Sequence, residues 1–197
     1  MSFTTLVLAA GVGRRFREVA GAQRDKLLEP CHGLDGVTRP VLANVLLNIS
    51  QLTQRLIVVT RADAVQRIAL AQSFGCELLL IDSPAMGESL AAAVRATAQS
   101  DGWLVTLGDM PWVRPQTFAA VAAGMTAQTI SVASGGQGRG HPVGFGKSFG
   151  GALMALSGDQ GGKRLFTAQN VREFWVGDAG IYQDVDVPAD LQAQHTV

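Results

Sequence analysis

Short apolar runs alternate along this chain with longer segments whose apolar positions recur at helical spacing. Residues 5–10, Thr-Leu-Val-Leu-Ala-Ala, break at Gly11, the pattern of a buried strand that ends in a glycine loop. Pro40 opens a helix over 40–52 that carries Val41, Leu42, Val45, Leu46 and Ile49 on one face. Residues 55–60 are rich in β-branched side chains and predict the next strand. Asp63 is placed to cap a helix that runs to about Phe74, where Gly75 stops it. A strand at 77–82, an alanine-rich helix at 87–99 and a strand at 103–107 follow, the last ending abruptly at Gly108-Asp109.

Strands that alternate with helices of this length imply βαβ units, hence an α/β fold with a mostly parallel sheet covered on both faces. The second half is less regular. Strands are expected at 129–133, around Val143 and Phe145, and at 171–176, with Pro188 starting a terminal helix. The stretch 135–140 reads as a loop because its glycine content is too high for a helix. No low-complexity linker or internal repeat interrupts the pattern, so one domain over 1–197 is expected.

The composition supports that picture and removes some functions. A chain of 197 residues, 47% of them hydrophobic, can build one sizeable core. Its 16 basic and 16 acidic residues balance, which argues against nucleic acid or an anionic membrane as the main partner. Cys31 and Cys76 lie far apart with no histidines at metal spacing, so both are expected to be small buried apolar residues. No basic region precedes the first apolar run and no stretch is long enough to span a bilayer, consistent with a cytoplasmic protein.

In a parallel sheet, ligands bind beyond the carboxyl ends of the strands, at the switch in strand order. The segments to inspect are therefore 11–15, 82–87, 108–111 and the glycine-rich stretch that ends at His141. The first loop joins glycines, which let backbone N–H groups close on phosphate oxygens, to Arg14 and Arg15, whose guanidinium forks suit the same anions. Phe16 stands where a dinucleotide fingerprint needs its third glycine, and His141 stands where a Walker loop ending at Gly146-Lys147-Ser148 needs its first. Both nucleotide-loop patterns are therefore excluded.

Asp109 follows an apolar strand, where a carboxylate can help hold magnesium against a triphosphate; it could equally be a turn aspartate. The segment Asp184-Val185-Asp186 offers a second carboxylate before a proline-started helix, and capping is the plain alternative. With Lys26 and the arginine loop these aspartates make a coherent set for nucleotidyl transfer. His141 lacks a partner in sequence and reads more readily as a structural or substrate-contacting residue than as a base. Asp159 and Arg164 could meet an anionic second substrate or simply begin a solvated helix. His32 and His195 have no context.

Taken together, several stretches resemble the nucleotidyltransferases that act on molybdenum cofactor. They are Leu8-Ala9-Ala10-Gly11-x-Gly13-Arg14-Arg15-Phe16, Asp25-Lys26-Leu27-Leu28, Met86-Gly87-x-Ser89-Leu90 and Leu107-Gly108-Asp109-Met110-Pro111. Further on come Gly138-Arg139-Gly140-His141-Pro142-Val143, Gly158-Asp159-x-Gly161 and Asp184-Val185-Asp186-x-Pro188. The resemblance implies a Rossmann-like three-layer α/β/α sandwich of the nucleotide-diphospho-sugar-transferase type. It also implies that CMP passes from CTP to molybdopterin with release of pyrophosphate, with Mg2+ as the cofactor and a molybdenum hydroxylase as possible recipient of the product. By the same resemblance Leu8, Ala9, Ala10, Gly11, Gly13, Arg14, Arg15, Lys26, Asp82 and Gly108 surround the nucleotide, and Asp109 and Asp186 hold the metal. Lys26, Asp109 and Arg15 carry the catalysis, while Gly140, His141, Pro142 and Asp159 face the pterin. Ala10 looks like the cytidylyl branch, since guanylyl-transferring relatives usually show glycine there. A transferase that uses GTP or another acceptor, or a non-catalytic carrier of the cofactor, is the alternative. The chain departs from the family in a longer stretch at 17–25, a longer one at 34–37 and Val187 in place of threonine.

Overall fold

The apolar run at the start of the chain becomes β1 (Thr4–Leu8), with its first four residues buried on both faces. In chain order there follow α1 (Arg14–Ala20), β2 (Pro30–His32), β3 (Thr38–Pro40), α2 (Val41–Ile49), β4 (Leu56–Arg61), α3 (Val65–Ser73) and β5 (Glu77–Ile81). Then come α4 (Met86–Ala96), β6 (Gly102–Leu107), α5 (Pro115–Ala123), β7 (Ile130–Gly135), β8 (Gly138–Gly146), α6 (Gly150–Met154) and β9 (Val171–Trp175). The computed structural model describes residues 2–52, 55–83 and 85–192. His195 lies outside the described residues.

Seven strands form one sheet in the order β5-β4-β1-β6-β8-β7-β9. Strand β8 runs antiparallel to both neighbours, and the other pairings are parallel. Alternate residues of each strand feed opposite layers, as the two-residue period requires. Val7, Val58 and Leu104 pack beneath α2, α3 and α5 through Val45, Leu46, Ala71 and Phe118. Leu6, Ile57, Trp103 and Val105 pack beneath α4 and α6 through Leu90, Val94 and Leu153. The result is the expected α/β/α sandwich. The chain leaves β1 for β4 and β5 on one side and returns to β6 on the other, so β1 and β6 flank the switch point.

Several local expectations need correction. The stretch 135–140 is not a loop: β7 and β8 form a hairpin, and β8 begins at Gly138. Its glycines reflect close approach. A Cβ on Gly140 would lie 2.3 Å from the Ile181 carbonyl, and one on Gly146 would lie 2.0 Å from the Thr126 carbonyl. The start of the 17–25 stretch belongs to α1, whose Phe16 is anchored in the core. Asp63 does not cap α3; its carboxylate takes Arg61 Nε at 2.9 Å, and Ala64 stands at the cap. The terminal helix is a 3-10 turn, Pro188–Gln192. Residues 34–37 form the tip of a separate β2–β3 ribbon, closed by Asp35 and Arg39. That ion pair, with the Val37 amide, holds the Asp35 carboxyl at about 2.

Candidate active site

The loop after β1 is tied on both sides to the sheet. Ala9 N–H donates to the Val59 carbonyl at 2.8 Å, and Gly108 N–H donates to the Leu8 carbonyl at 2.9 Å. The carboxyl ends of β1 and β6 therefore meet, with Asp109 one residue beyond the contact. Gly13 caps α1 at φ 64°, a left-handed conformation that glycine enters without cost. The Lys26 stem passes across it: a Cβ at Gly13 would lie 3.4 Å from Lys26 Cγ.

Lys26 begins a 3-10 turn, Lys26–Leu28, and points its ammonium between two aspartates. Nζ lies 2.5 Å from Asp109 Oδ2 and 3.5 Å from Asp186 Oδ1. Arg15, largely exposed, reaches Asp186 Oδ2 at 2.8 Å. Asp109 Oδ1 is buried and finds no hydrogen-bond partner among the described residues. Asp184 completes the cluster: one ligand atom from each of Asp109, Asp184 and Asp186 lies within 4.8 Å of the others. Desolvation, followed by the charges of Asp186 and Asp109, pushes the Asp184 carboxyl above the usual carboxylate range. Three converging carboxylates and an orphaned buried oxygen are a donor set suited to a hard divalent cation.

Two cavities open side by side at this sheet edge. A cavity of about 140 Å³ is lined by Leu8, Ala9, Ala10, Gly11, Gly13, Lys26, Ser89 and Asp109, among others. A larger one of about 320 Å³ is mostly apolar, floored by Val105, Val132, Val143 and Phe145 and edged by Arg139, His141 and Lys163. Leu8, Met86 and Leu107 line both. His141 Nδ1 is buried without a partner among the described residues. Burial pushes the ring below the usual histidine range, against the opposing pull of the Val105 carbonyl and the Asp109 carboxylate.

The fold thus gathers Leu8, Ala9, Ala10, Gly11, Gly13, Lys26 and Asp109 around one cavity and Gly140 and His141 around the other. Gly108 and Pro142 are buried beside them as backbone support. Arg14, Asp82 and Asp159 are exposed and line neither cavity. Cys31 and Cys76 are buried, and desolvation raises both thiols, as expected of inert residues.

Three residues gain a role only in the folded chain. Asp184 was visible only as the neighbour of Asp186. Asp190 Oδ2 accepts the Asp186 and Val187 amides, each at 2.8 Å, and so shapes the turn that carries Asp186. Arg67, on the first turn of α3, is buried behind the glycine loop and bonded to it. No local pattern signals such a distant partnership.

The chain is similar to several known proteins in fold and sequence. Residues 5–173 match the model of the MobA-like NTP transferase domain. A solved homolog of Mycobacterium tuberculosis Rv0371c, from Mycobacterium sp. strain JC1, is 29% identical. The match covers 95% of this chain and 92% of that one, with a TM-score of 0.77. Rv0371c of M. tuberculosis H37Rv in complex with manganese is 28% identical over 98% of this chain and 94% of its own, with a TM-score of 0.70. A nucleotidyl transferase from Methanothermobacter shares the fold at a TM-score of 0.79 and 24% identity, over 96% of this chain and 94% of its own. None of the curated proteins compared matches the sequence.

Proposed function

Because the chain belongs to the family of MobA-like NTP transferase domains, we propose that this nucleotidyltransferase moves CMP from CTP to molybdopterin and releases pyrophosphate. The observation that carries the reading is the Lys26 ammonium, 2.5 Å from an Asp109 carboxylate whose other oxygen is buried and unpartnered, beside a glycine loop at the switch point of the sheet. The smaller cavity takes the nucleotide. Ala10 is buried on its wall, and its methyl group narrows the space that a purine would use. The larger cavity takes the acceptor, its apolar floor beneath a planar ring system and its cationic edge toward anionic groups.

Asp109 and Asp186, with Asp184 beside them, would hold Mg2+; that Rv0371c was solved in complex with manganese supports a divalent metal. The ion would supply positive charge that offsets the triphosphate and eases the departure of pyrophosphate. The chain's own part is positioning and electrostatics. An acceptor oxygen attacks the α-phosphorus as the bond to the β-phosphate breaks. Backbone N–H groups of the 9–13 loop hold phosphate oxygens, and Lys26 donates to the charge that builds on the leaving group. Arg15 at the mouth adds a second cation. His141, kept neutral by burial, contributes shape and hydrogen bonding rather than charge.

The test is pyrophosphate release from CTP, GTP, ATP and UTP, each with and without molybdopterin and Mg2+. Release from CTP that requires both additions is expected. Equal release from GTP would overturn the cytidylyl assignment, and release that ignores molybdopterin would overturn the acceptor. Binding of molybdopterin with no release from any nucleotide would indicate a carrier instead.

A further inference from the structure

Arg67 makes four hydrogen bonds from one buried guanidinium. Nε and Nη2 donate to the two Asp25 carboxylate oxygens at 2.6 and 2.8 Å. Nη1 donates to the carbonyls of Ala9 and Gly11 at 2.6 and 3.0 Å. The residue is 4% exposed, and it lines a polar cleft but not the nucleotide cavity, whereas Gly11 lines both. In a trans peptide the C=O and the following N–H point in opposite directions. Holding the Ala9 and Gly11 carbonyls at the back therefore turns the Ala10 and Val12 N–H groups to the front. The same Asp25 carboxylate accepts the Leu27 amide at 3.1 Å, which sets the 3-10 turn that Lys26 begins.

We infer that Arg67, through Asp25, is the positioning residue that sets both the phosphate-binding loop and Lys26 for transfer. The inference rests on the proposed function and deepens it. One planar cation joins the two groups that must face the same triphosphate, and its fork shape is essential to reaching both. A lysine at this position would keep the charge near Asp25, but a point donor cannot span the carboxylate and two carbonyls together. Displacements of about 1 Å in such supports cost up to about a hundredfold in rate.

The experiment compares Arg67→Lys and Asp25→Asn with the wild type in three readouts: kcat and nucleotide KM per folded molecule, melting temperature, and the 15N–1H amide signals of Gly11 and Gly13. Arg67→Lys is expected to lower kcat by about tenfold to a hundredfold, with a smaller change in KM and with both glycine signals shifted. Asp25→Asn should move the same readouts in the same direction, and it carries the test if Arg67→Lys does not fold. Wild-type kcat in the folded fraction, with only the melting temperature lowered, would overturn the inference and leave Arg67 as structural glue, the proposed function standing. If the wild type itself transfers no nucleotide, the proposed function fails, and the amide signals decide alone: shifted signals support the positioning role and unshifted ones overturn it.

Discussion

The Val185 amide donates to the Asp109 carbonyl at 2.9 Å, and that bond joins the two halves of the acidic cluster. Asp109 arrives at the end of β6 and Asp186 from the far end of the chain, so no local geometry relates them. Val185 is fully buried between Asp184 and Asp186, which leaves both carboxylates on the site side of the segment. The backbone bond fixes the pair, and the Lys26 ammonium fills the space between them.

Removing Asp109 should therefore stop transfer without unfolding the protein. Asp109→Ala deletes the carboxylate closest to Lys26 and relieves repulsion within the cluster. The loss of several kcal/mol of transition-state stabilisation corresponds to at least about a thousandfold in kcat. The melting temperature should change by no more than a few degrees. Turnover at saturating Mg2+ and a thermal melt check this, and near-normal turnover would sink the assignment.

Lys26 should matter more to rate than to affinity. Its charge is neutralised by Asp109 in the free protein and is called on most as pyrophosphate departs. Lys26→Ala is expected to lower kcat by at least about a hundredfold and to raise the nucleotide KM less. Lys26→Arg should restore activity only in part, because the lysine stem packs across Gly13 and a broader planar guanidinium places its charge differently from a compact ammonium. Steady-state kinetics at fixed metal separate the two constants, and an effect confined to KM would make Lys26 a binding residue.

What could be read from the sequence was what local chemistry encodes. The run from Thr5 to Ala10 and its break at Gly11 located β1 and the glycine loop after it, and the same logic located Asp109 after β6. The glycines of β8 misled because their reason lies in remote neighbours, the Ile181 and Thr126 carbonyls, rather than in their own turn. Helix α1 carries no Ser, Thr, Asp or Asn cap, only Gly13, so its start gave no signal. Arg67 sits at an ordinary helix position, and its role exists only through Asp25, Ala9 and Gly11, which the fold brings to it.

His141 should make the fold acid-sensitive. Burial holds its ring below the usual histidine range, whereas in the unfolded chain it takes a proton near 6.5. The unfolded state thus binds more protons between those two values. Stability from this residue is complete above the unfolded value and is lost as pH falls through the folded one. Melting temperatures of the wild type should drop more steeply from pH 7.5 to 5.5 than those of His141→Gln. Parallel curves would show that burial of the ring has no such cost.

Asp190 touches neither cavity, yet it should tune the proposed metal site. Its Oδ2 accepts the amides of Asp186 and Val187, both at 2.8 Å, and these bonds set the backbone from which the Asp186 carboxylate projects. Hydrogen bonds to a charged acceptor contribute about 1.5–3 kcal/mol each, less where water can replace them. Asp190→Ala frees the turn, and Asp186 must then be ordered when metal binds. The divalent-ion concentration for half-maximal activity should rise by about tenfold, with kcat at saturating metal near the wild-type value, since the ligands themselves remain. Asp190→Asn keeps an acceptor oxygen and should fall between the two. A titration of activity against Mg2+, repeated with Mn2+, distinguishes this from damage to the reacting groups, which would lower kcat at every metal concentration and refute the indirect role.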